Sequence, residues 1–339
     1  MQFRYYIIKR IFFQILVVFG VITLAFLVTK AIPQDPVAIL LGPYAMRNPN
    51  LVREVTHTWK LDRPLWEQYL YYLQNIVTGN WGRSIYTRGP VIEDLVARFP
   101  ATLELSLFAF AIAMAIAIPS GILSAVYRDT PLDHLARVIS IAGISAPGFW
   151  WGIMFLYVFY YLLGIFPGSG RLGTNFVAPP HVTGMYLIDS VLANRIDIFW
   201  DALKHILLPA FTLGIGSCGM ASRLTRSAML EVLRKDYIKT ARMKGLPERV
   251  VIIKHALRNC LLAPVTWMAF LFGSMLEGVV FIEVIFRWDG MGQYVVNAIF
   301  ESDYPALMAA VLVIAIIYST GSLVADLLYH VLDPRVTVY

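Results

Sequence analysis

Apolar residues fall along this chain in six long blocks, separated by charged or glycine- and proline-rich stretches. They read as Ile11–Thr29, Leu103–Val126, Val138–Leu163, Ile206–Leu224, Leu261–Ile285 and Ala306–Leu328. Crossing the hydrocarbon of a bilayer takes an α-helix of about 20 apolar residues, and each block is roughly that long. Large buried helices of a soluble protein are the competing account of any one block, but six of them divided by charged loops exclude it. The pattern therefore predicts an all-α integral membrane protein with six transmembrane helices.

The first block follows Lys9 and Arg10, as the apolar core of a signal peptide would. It is longer than such a core, and Lys30-Ala31-Ile32-Pro33 offers no small-residue cleavage site, so it reads as a retained first helix.

Composition sharpens this picture. Of 339 residues, 58% are hydrophobic and 15% charged, and the mean hydropathy is +0.65. A soluble domain carries about a quarter charged residues. The net charge of +6 is not a nucleic-acid footprint, because of where it lies. Ten Lys or Arg residues fall between Arg223 and Arg258, Arg4, Lys9 and Arg10 precede the first block, and Arg128 and Arg137 follow the second. With six alternating helices all these segments share one side, and basic loops stay cytoplasmic. Both termini are therefore expected in the cytoplasm, and loops 33–101 and 164–203 outside.

The first of these loops is too long for a connector. Leu61-Asp62-Arg63-Pro64-Leu65, followed by Trp66 to Leu73, reads as a proline-started amphipathic helix, and Gly79-Asn80-Trp81-Gly82 as a turn. The expectation is a small ordered extracytoplasmic cap between helices 1 and 2, with an unstructured loop as the alternative. Gly168, Gly170, Gly173 and Pro179-Pro180 make loop 164–203 irregular. The chain then divides into 1–32 (cytoplasmic N-terminus and first helix), 33–101 (cap) and 102–339 (a core of five helices).

Enzyme chemistry finds no foothold. There is no glycine-rich phosphate loop with its lysine and no H-E-x-x-H. His57, His181 and His330 are scattered, and His205, just before Ile206-Leu207-Leu208-Pro209, suits a structural hydrogen bond. Cys218 and Cys260 form neither a disulfide framework nor a metal site. Glu277, Glu283 and Asp326 are isolated titratable groups within the blocks, so an intramembrane enzyme lacks a convergent pair, and an ATP-independent channel is the other rival from a different class.

The polar stretch DYIKTARMKGLPERVVIIKHALRN, residues 236–259, interrupts this oily chain. Good helix formers run from about Ser227 to Lys244, Gly245 is a natural left-handed terminator, and Pro247 with Glu248 restarts a helix. Such a helix, turn and helix can bind anionic lipid, bind DNA or dock into a protein. Tyr237, Ala241 and Gly245 at helical spacing favour docking, since small residues permit close approach.

At this point the residues carry a resemblance. Thr240-Ala241-Arg242-Met243-Lys244-Gly245-Leu246, with His255-Ala256-Leu257-Arg258-Asn259, resembles the EAA loop of ABC-transporter permeases of the dipeptide, oligopeptide and nickel importer family. Ile32-Pro33-Gln34-Asp35-Pro36, Leu61–Pro64 with Gln68-Tyr69-Leu70, and Ala101-Thr102-Leu103-Glu104-Leu105 match that family in order. So do Ser145-x-Pro147-x-Phe149-Trp150 in the third helix, Glu283-x-Ile285-Phe286, Gly290-x-Gly292, Asp303-Tyr304-Pro305 and Asp333-Pro334-Arg335. The likeness runs nearly end to end and is greatest to the first, B-type, permease subunit of dipeptide importers.

The resemblance implies a type I ABC importer permease fold in the plasma (inner) membrane of a prokaryote. It implies a coupling loop at about 226–259 that seats in a cytoplasmic ATPase through Tyr237, Lys239, Thr240, Ala241, Lys244, Gly245 and Leu246. Lys239, Thr240 and Ala241 stand where the motif has E-A-A, lysine replacing the acid, and Leu262-Ala263-Pro264 displaces the family's proline by one residue. The implied partners are a second permease, two ATPases, an extracytoplasmic solute-binding protein and the lipid bilayer, with no nucleic acid. ATP and Mg belong to the ATPases, and no cofactor is expected in this chain. Glu277, Ser145 and Phe149 are the candidates for the translocation path. The implied cargo is di- or oligopeptides, with oligosaccharides, nickel or glutathione as alternatives. Trp150, Trp151, Tyr157 and Tyr160 suit sugar stacking or interfacial packing, and the absence of His or Cys ligands along the spans disfavours nickel.

Overall fold

The computed structural model describes residues 3–31, 37 and 48–332, apart from the side chains of 3–6, 31, 262–270, 274, 276, 277 and 324–332. The motifs Ile32–Pro36 and Asp333–Arg335 lie outside the described residues. In chain order the helices are α1 Phe3–Ala31, α2 Pro49–Thr58, α3 Leu65–Val77, α4 Val91–Val126, α5 Pro131–Ser145 and α6 Gly148–Phe155. They continue as α7 Tyr186–Leu192, α8 Ile196–Leu233, α9 Asp236–Met243, α10 Glu248–Val250, α11 Leu257–Cys260, α12 Leu262–Ile285, α13 Met291–Phe300 and α14 Tyr304–Leu332. π-Helical segments extend α6 over Leu156–Leu162 and join α10 to α11 over Val251–Ala256.

Among the described residues four helices are long and apolar enough to span a membrane: Ile7–Lys30, Val91–Val126, Ile196–Leu233 and Tyr304–Leu323. The third apolar block is not one straight helix, as expected from hydropathy, but the pair α5 and α6, bent by 104° and counting as a fifth span if taken together. The cause is local. Pro147 disfavours helical backbone in the residue before it, and Ala146 is accordingly extended at φ −112°, ψ 147°. The fifth block forms α12, a helix of 24 residues. Two helices outgrow their apolar blocks: α4 begins at Val91 and α8 runs from Ile196 to Leu233, both adding polar turns at their ends.

The chain divides into two compact units. One comprises Arg98–Gln293 with Met1–Phe3 and Thr320–Tyr339. Its hub is α8, which packs on α5, α6, α7 and α12. Small residues let backbones approach, the usual means by which membrane helices associate. At Gly121 of α4 an added Cβ would lie 2.6 Å from the Ser222 carbonyl oxygen of α8, so only glycine permits this crossing. The apolar core joins Leu105 and Ala109 of α4, Ile206 of α8 and Ile282 of α12 with Phe286 and Trp288.

Buried polar residues tie this core at the matched motifs. Thr102 Oγ1 donates to Glu283 Oε1 at 2.6 Å, and Gln293 N donates to Glu283 Oε2 at 3.0 Å. Trp288 Nε1 donates to the Ala101 carbonyl at 2.9 Å. Arg171 and Glu104 form a buried ion pair at 2.7 Å, with the Arg171 guanidinium 3.6 Å from the Tyr186 ring centroid. Buried charge is tolerated only when paired and hydrogen-bonded, so the loop expected at 164–203 is irregular as far as α7 but pinned, and α8 already begins at Ile196. Asp189 adds to this: Thr183 N and Oγ1 donate to it at 2.8 and 2.7 Å, and Gly184 N at 2.8 Å. Burial pushes its carboxyl up, yet these bonds outweigh burial and hold it below the ordinary range. His205 Nδ1 donates to the Asp201 carbonyl at 2.8 Å, the structural hydrogen bond expected of it.

The other unit comprises Arg4–Ala97 and Tyr294–Ser319. α3 starts after Pro64 as the sequence predicts, and its Tyr69 and Tyr72 rings pack on Phe26 of α1 at 5.2 and 6.0 Å between centroids. Thr23 Oγ1 and Tyr69 OH share a hydrogen bond of 2.6 Å. The turn 79–82 is present, with Gly79 and Gly82 at φ 76° and 82°. Sequence reading missed α2, where Asn48 caps Asn50 N at 3.1 Å and Pro49 opens the helix. Asp303 organises the far end by accepting from Ser84 Oγ at 2.5 Å and from Tyr86 N and Ala306 N at 3.1 Å. Residues 48–101 are thus ordered rather than an unstructured connector.

Candidate functional site

The polar stretch after α8 builds a compact protrusion. The expected single helix from Ser227 to Lys244 is instead two: α8 ends at Leu233, and α9 begins at Asp236 after an extended Lys235 at φ −68°, ψ 149°. Asp236 in the first turn of α9 and Arg242 in the last complement the helix dipole. Lys244 N donates to Thr240 O at 3.0 Å and Gly245 N to Arg242 O at 2.9 Å, closing the last turn. Gly245 then takes φ +74°, the left-handed conformation expected of it. Pro247 caps α10, and the chain turns back beneath α9.

Two kinds of side chain result. Ile238 and Ala241 point inward, packed with Met229 and Val232 of α8 and with Val251, Ala256 and Cys260 behind them. Burying Ile238 completely contributes about 1.5–3 kcal/mol, enough to hold an eight-residue helix that would not persist alone. The outward side carries Tyr237, Lys239, Thr240, Met243, Lys244, Gly245 and Leu246, all exposed.

Polar bonds stiffen the protrusion. Arg242 grips Glu248 bidentately, Nη2 to Oε1 at 2.6 Å and Nε to Oε2 at 3.1 Å. The Arg242 guanidinium holds the Glu248 carboxyl below its ordinary range. Lys239 Nζ donates to Asp236 Oδ1 at 2.9 Å, and Asn259 Nδ2 donates to Tyr237 OH at 2.9 Å, tying α9 to α11. Such an element has no reactive constellation. What it offers is a rigid, basic, partly apolar surface.

Of the predicted contact residues, six are outward and one is not. Ala241, expected on the docking face with Tyr237 and Gly245, is 6% exposed and belongs to the chain's own core. It seats α9 in that core, so Tyr237, Ala241 and Gly245 do not form one continuous exposed stripe. The sequence reading missed Met243, 79% exposed and the most prominent apolar side chain here. Its signal was available: two residues beyond Ala241 lies about 200° around a helix.

The path candidates are dispersed. Ser145 Oγ donates to Ile141 O at 2.7 Å at the α5–α6 bend, and Phe149 lies exposed, 6.5 Å from the Phe281 ring centroid. Glu277 falls within α12, but its side chain lies outside the described residues. Among the described residues no group of three or more His, Cys, Asp or Glu could hold a metal ion.

Comparison with known proteins identifies the family of the chain. Residues 117–338 match the family described as binding-protein-dependent transport system inner membrane component, and residues 3–106 match its N-terminal counterpart. The chain is 43% identical to the probable D,D-dipeptide transport system permease protein DdpB of Escherichia coli K12, over 97% of this chain and 96% of that protein. It is 40% identical to the di/tripeptide transport system permease protein DppB of Pseudomonas aeruginosa, over 98% of each. With the oligopeptide transport system permease protein AppB of Bacillus subtilis the identity is 36%, again over 98% of each. A chain that is helical over its described residues, has several helices long and apolar enough to span a membrane, and is matched at this length belongs to the family of inner membrane components of binding-protein-dependent transport systems.

Proposed function

We propose that this chain is one of two permease subunits of an ATP-driven importer of di- or oligopeptides, most like the B-type subunits. The observation that carries this reading is the protrusion at 236–249: a stiff element anchored by its own core, with an outward surface and no catalytic group. A permease that cannot hydrolyse ATP needs such a handle, because force reaches its helices only through a part that does not yield. End-to-end likeness to peptide permeases supports the cargo class.

In this reading six helices cross the membrane with both termini cytoplasmic, α5 and α6 forming one bent span and α12 the fifth. The segment 33–101 lies outside and receives a solute-binding protein. Two cytoplasmic ATPases, holding ATP and Mg, seat α9 and the Gly245 turn of each permease. ATP binding draws the ATPases together, the protrusions move with them, and the path alternates between its two openings. Ser145 and Phe149 beside the bend line that path, and Glu277 faces its interior, since an ionised carboxylate facing lipid is costly.

The test is purification of the tagged chain in mild detergent, followed by reconstitution. A second permease and two ATPases are expected to co-purify, and labelled peptide is expected to enter vesicles only with ATP and the binding protein. A stable homo-oligomer that conducts solute without ATPases would contradict the proposal and favour a channel.

A further inference from the structure

The unit formed by residues 4–97 and 294–319 encloses a cavity of about 910 Å³ that the transport reading leaves unused. Its walls are of two kinds. Phe26 of α1 and Met308, Ala309 and Leu312 of α14 give an apolar recess, while Trp59, Tyr71, Tyr72 and Trp81 form an aromatic collar. Lys30, Arg83 and Arg88 also line it, and no Asp or Glu does among the described residues.

Position along the helices fixes the recess in depth. Leu312 is eight residues into α14, about 12 Å at 1.5 Å per residue, and Phe26 is five residues before the end of α1. Both helices are apolar enough to span a membrane. The recess therefore reaches to acyl-chain depth, while the collar and cations sit where Trp, Tyr and Lys gather at a bilayer interface. A water-borne solute needs no greasy floor at that depth; a lipid does.

The polar groups favour a phosphate. Lys30 Nζ lies 5.7 Å from the Phe26 ring centroid, at the junction of recess and collar. Arg83 spends its guanidinium on the Arg88 carbonyl, Nη2 at 2.8 Å, which orders the loop that carries Arg88. Two buried polar atoms of lining residues, Tyr72 OH and Gln68 Oε1, have no hydrogen-bond partner among the described residues. Gln68 Nε2 donates to the Arg63 carbonyl at 2.7 Å, and neither orphaned oxygen is accessible from the cavity.

We infer that this cavity binds an anionic phospholipid, such as phosphatidylglycerol. Lys30 and Arg88 hold the phosphate, and one acyl chain lies against Phe26 and α14. The inference rests on the proposed topology only for the leaflet the lipid comes from, not for binding.

The experiment is native mass spectrometry of the purified complex released from nanodiscs containing phosphatidylglycerol and phosphatidylcholine in equal amounts. The wild type is expected to retain phosphatidylglycerol preferentially. Lys30→Gln and Arg88→Gln are each expected to weaken that retention by about fivefold. Met308→Trp keeps both cations but fills the recess, and is expected to release the lipid as well. Complexes are compared at matched yield and thermal midpoint, and either cation variant suffices should the other fail to assemble. Equal retention of the two lipids, or retention unchanged in the cation variants, would overturn the inference. Displacement by free glycerol phosphate at the same concentration as the lipid would also overturn it, marking a site for soluble phosphate. Lipid retention unchanged in Met308→Trp would remove the acyl-chain half.

Discussion

Arg242 and Glu248 clasp each other across the Gly245 turn by two parallel N–H···O bonds, 2.6 and 3.1 Å long. Both side chains are roughly half exposed, at 42% and 52%, so solvent limits the pair to less than about 1 kcal/mol of stability. Its use is geometric, because a bidentate grip fixes the angle between α9 and α10.

The pH dependence of this clasp follows from its sign. Arg242 depresses the Glu248 carboxyl, so the stabilisation is present above the ordinary carboxylate range and is lost as pH falls through the depressed value. Hydrogen exchange over 236–250, corrected for intrinsic rates, is expected to be flat from about pH 8 to 5 and to rise below about pH 4. Arg242→Ala is expected to show the faster exchange from about pH 8 to 5 and to converge with the wild type as pH falls through the depressed value. A wild-type rise near neutral pH would contradict the assignment.

At Gly245 the constraint is backbone alone. An added Cβ meets no described atom within 4 Å, but φ is +74°. Gly245→Val is therefore expected to distort the turn and abolish uptake with membrane insertion intact, while Gly245→Asn, which tolerates this conformation, retains a substantial part. Uptake assays on vesicles with matched permease content measure this. Equal loss in both variants would place the defect in side-chain contact instead.

Ala241 and Met243 separate folding from docking. Ala241→Asp puts an unpaired carboxylate among Ile238, Val251 and Cys260, and is expected to loosen the segment by several kcal/mol, read as proteolysis between 233 and 262 without ATPases present. Met243→Asp is expected to leave protease resistance unchanged and to weaken ATPase retention on a tagged permease. The opposite pattern would exchange their roles.

Much of this was legible from the chain, and the exceptions have physical causes. The αL glycine, the proline restart at 247 and the helix after Pro64 are local decisions made by residues whose backbone preferences override context. The bend at Ala146 was written just as locally, in Pro147, but the continuous hydropathy of residues 138–163 masked it. The burial of Ala241 was not legible, because its smallness fits both a docking surface and a tight internal seat. Only the fold of α9 back onto Val251 and Cys260, which no spacing reveals, distinguishes them. The pairing of Glu104 with Arg171, and of Glu283 with Thr102, is likewise invisible in sequence, since each joins residues brought together only by helix packing.

Topology is open to direct labelling. In a background with Cys218 and Cys260 replaced, cysteine at Asn75 is expected to react with an impermeant thiol reagent on intact cells, and cysteine at Lys244 only after lysis. Labelling of 244 but not 75 on intact cells would invert the proposed orientation.

The central claim, that the outward face of 236–249 is the seat of an ATPase, is tested most directly by site-specific cross-linking of the assembled complex. In the same cysteine-free background, single cysteines replace Met243, Leu246 or Ala241, and a short bismaleimide bridges them to cysteines on the ATPase surface. ATPase adducts are expected from 243 and 246 and none from the buried position 241. Adducts from 241 alone, or from none of the three in a complex that still hydrolyses ATP and transports, would contradict the account.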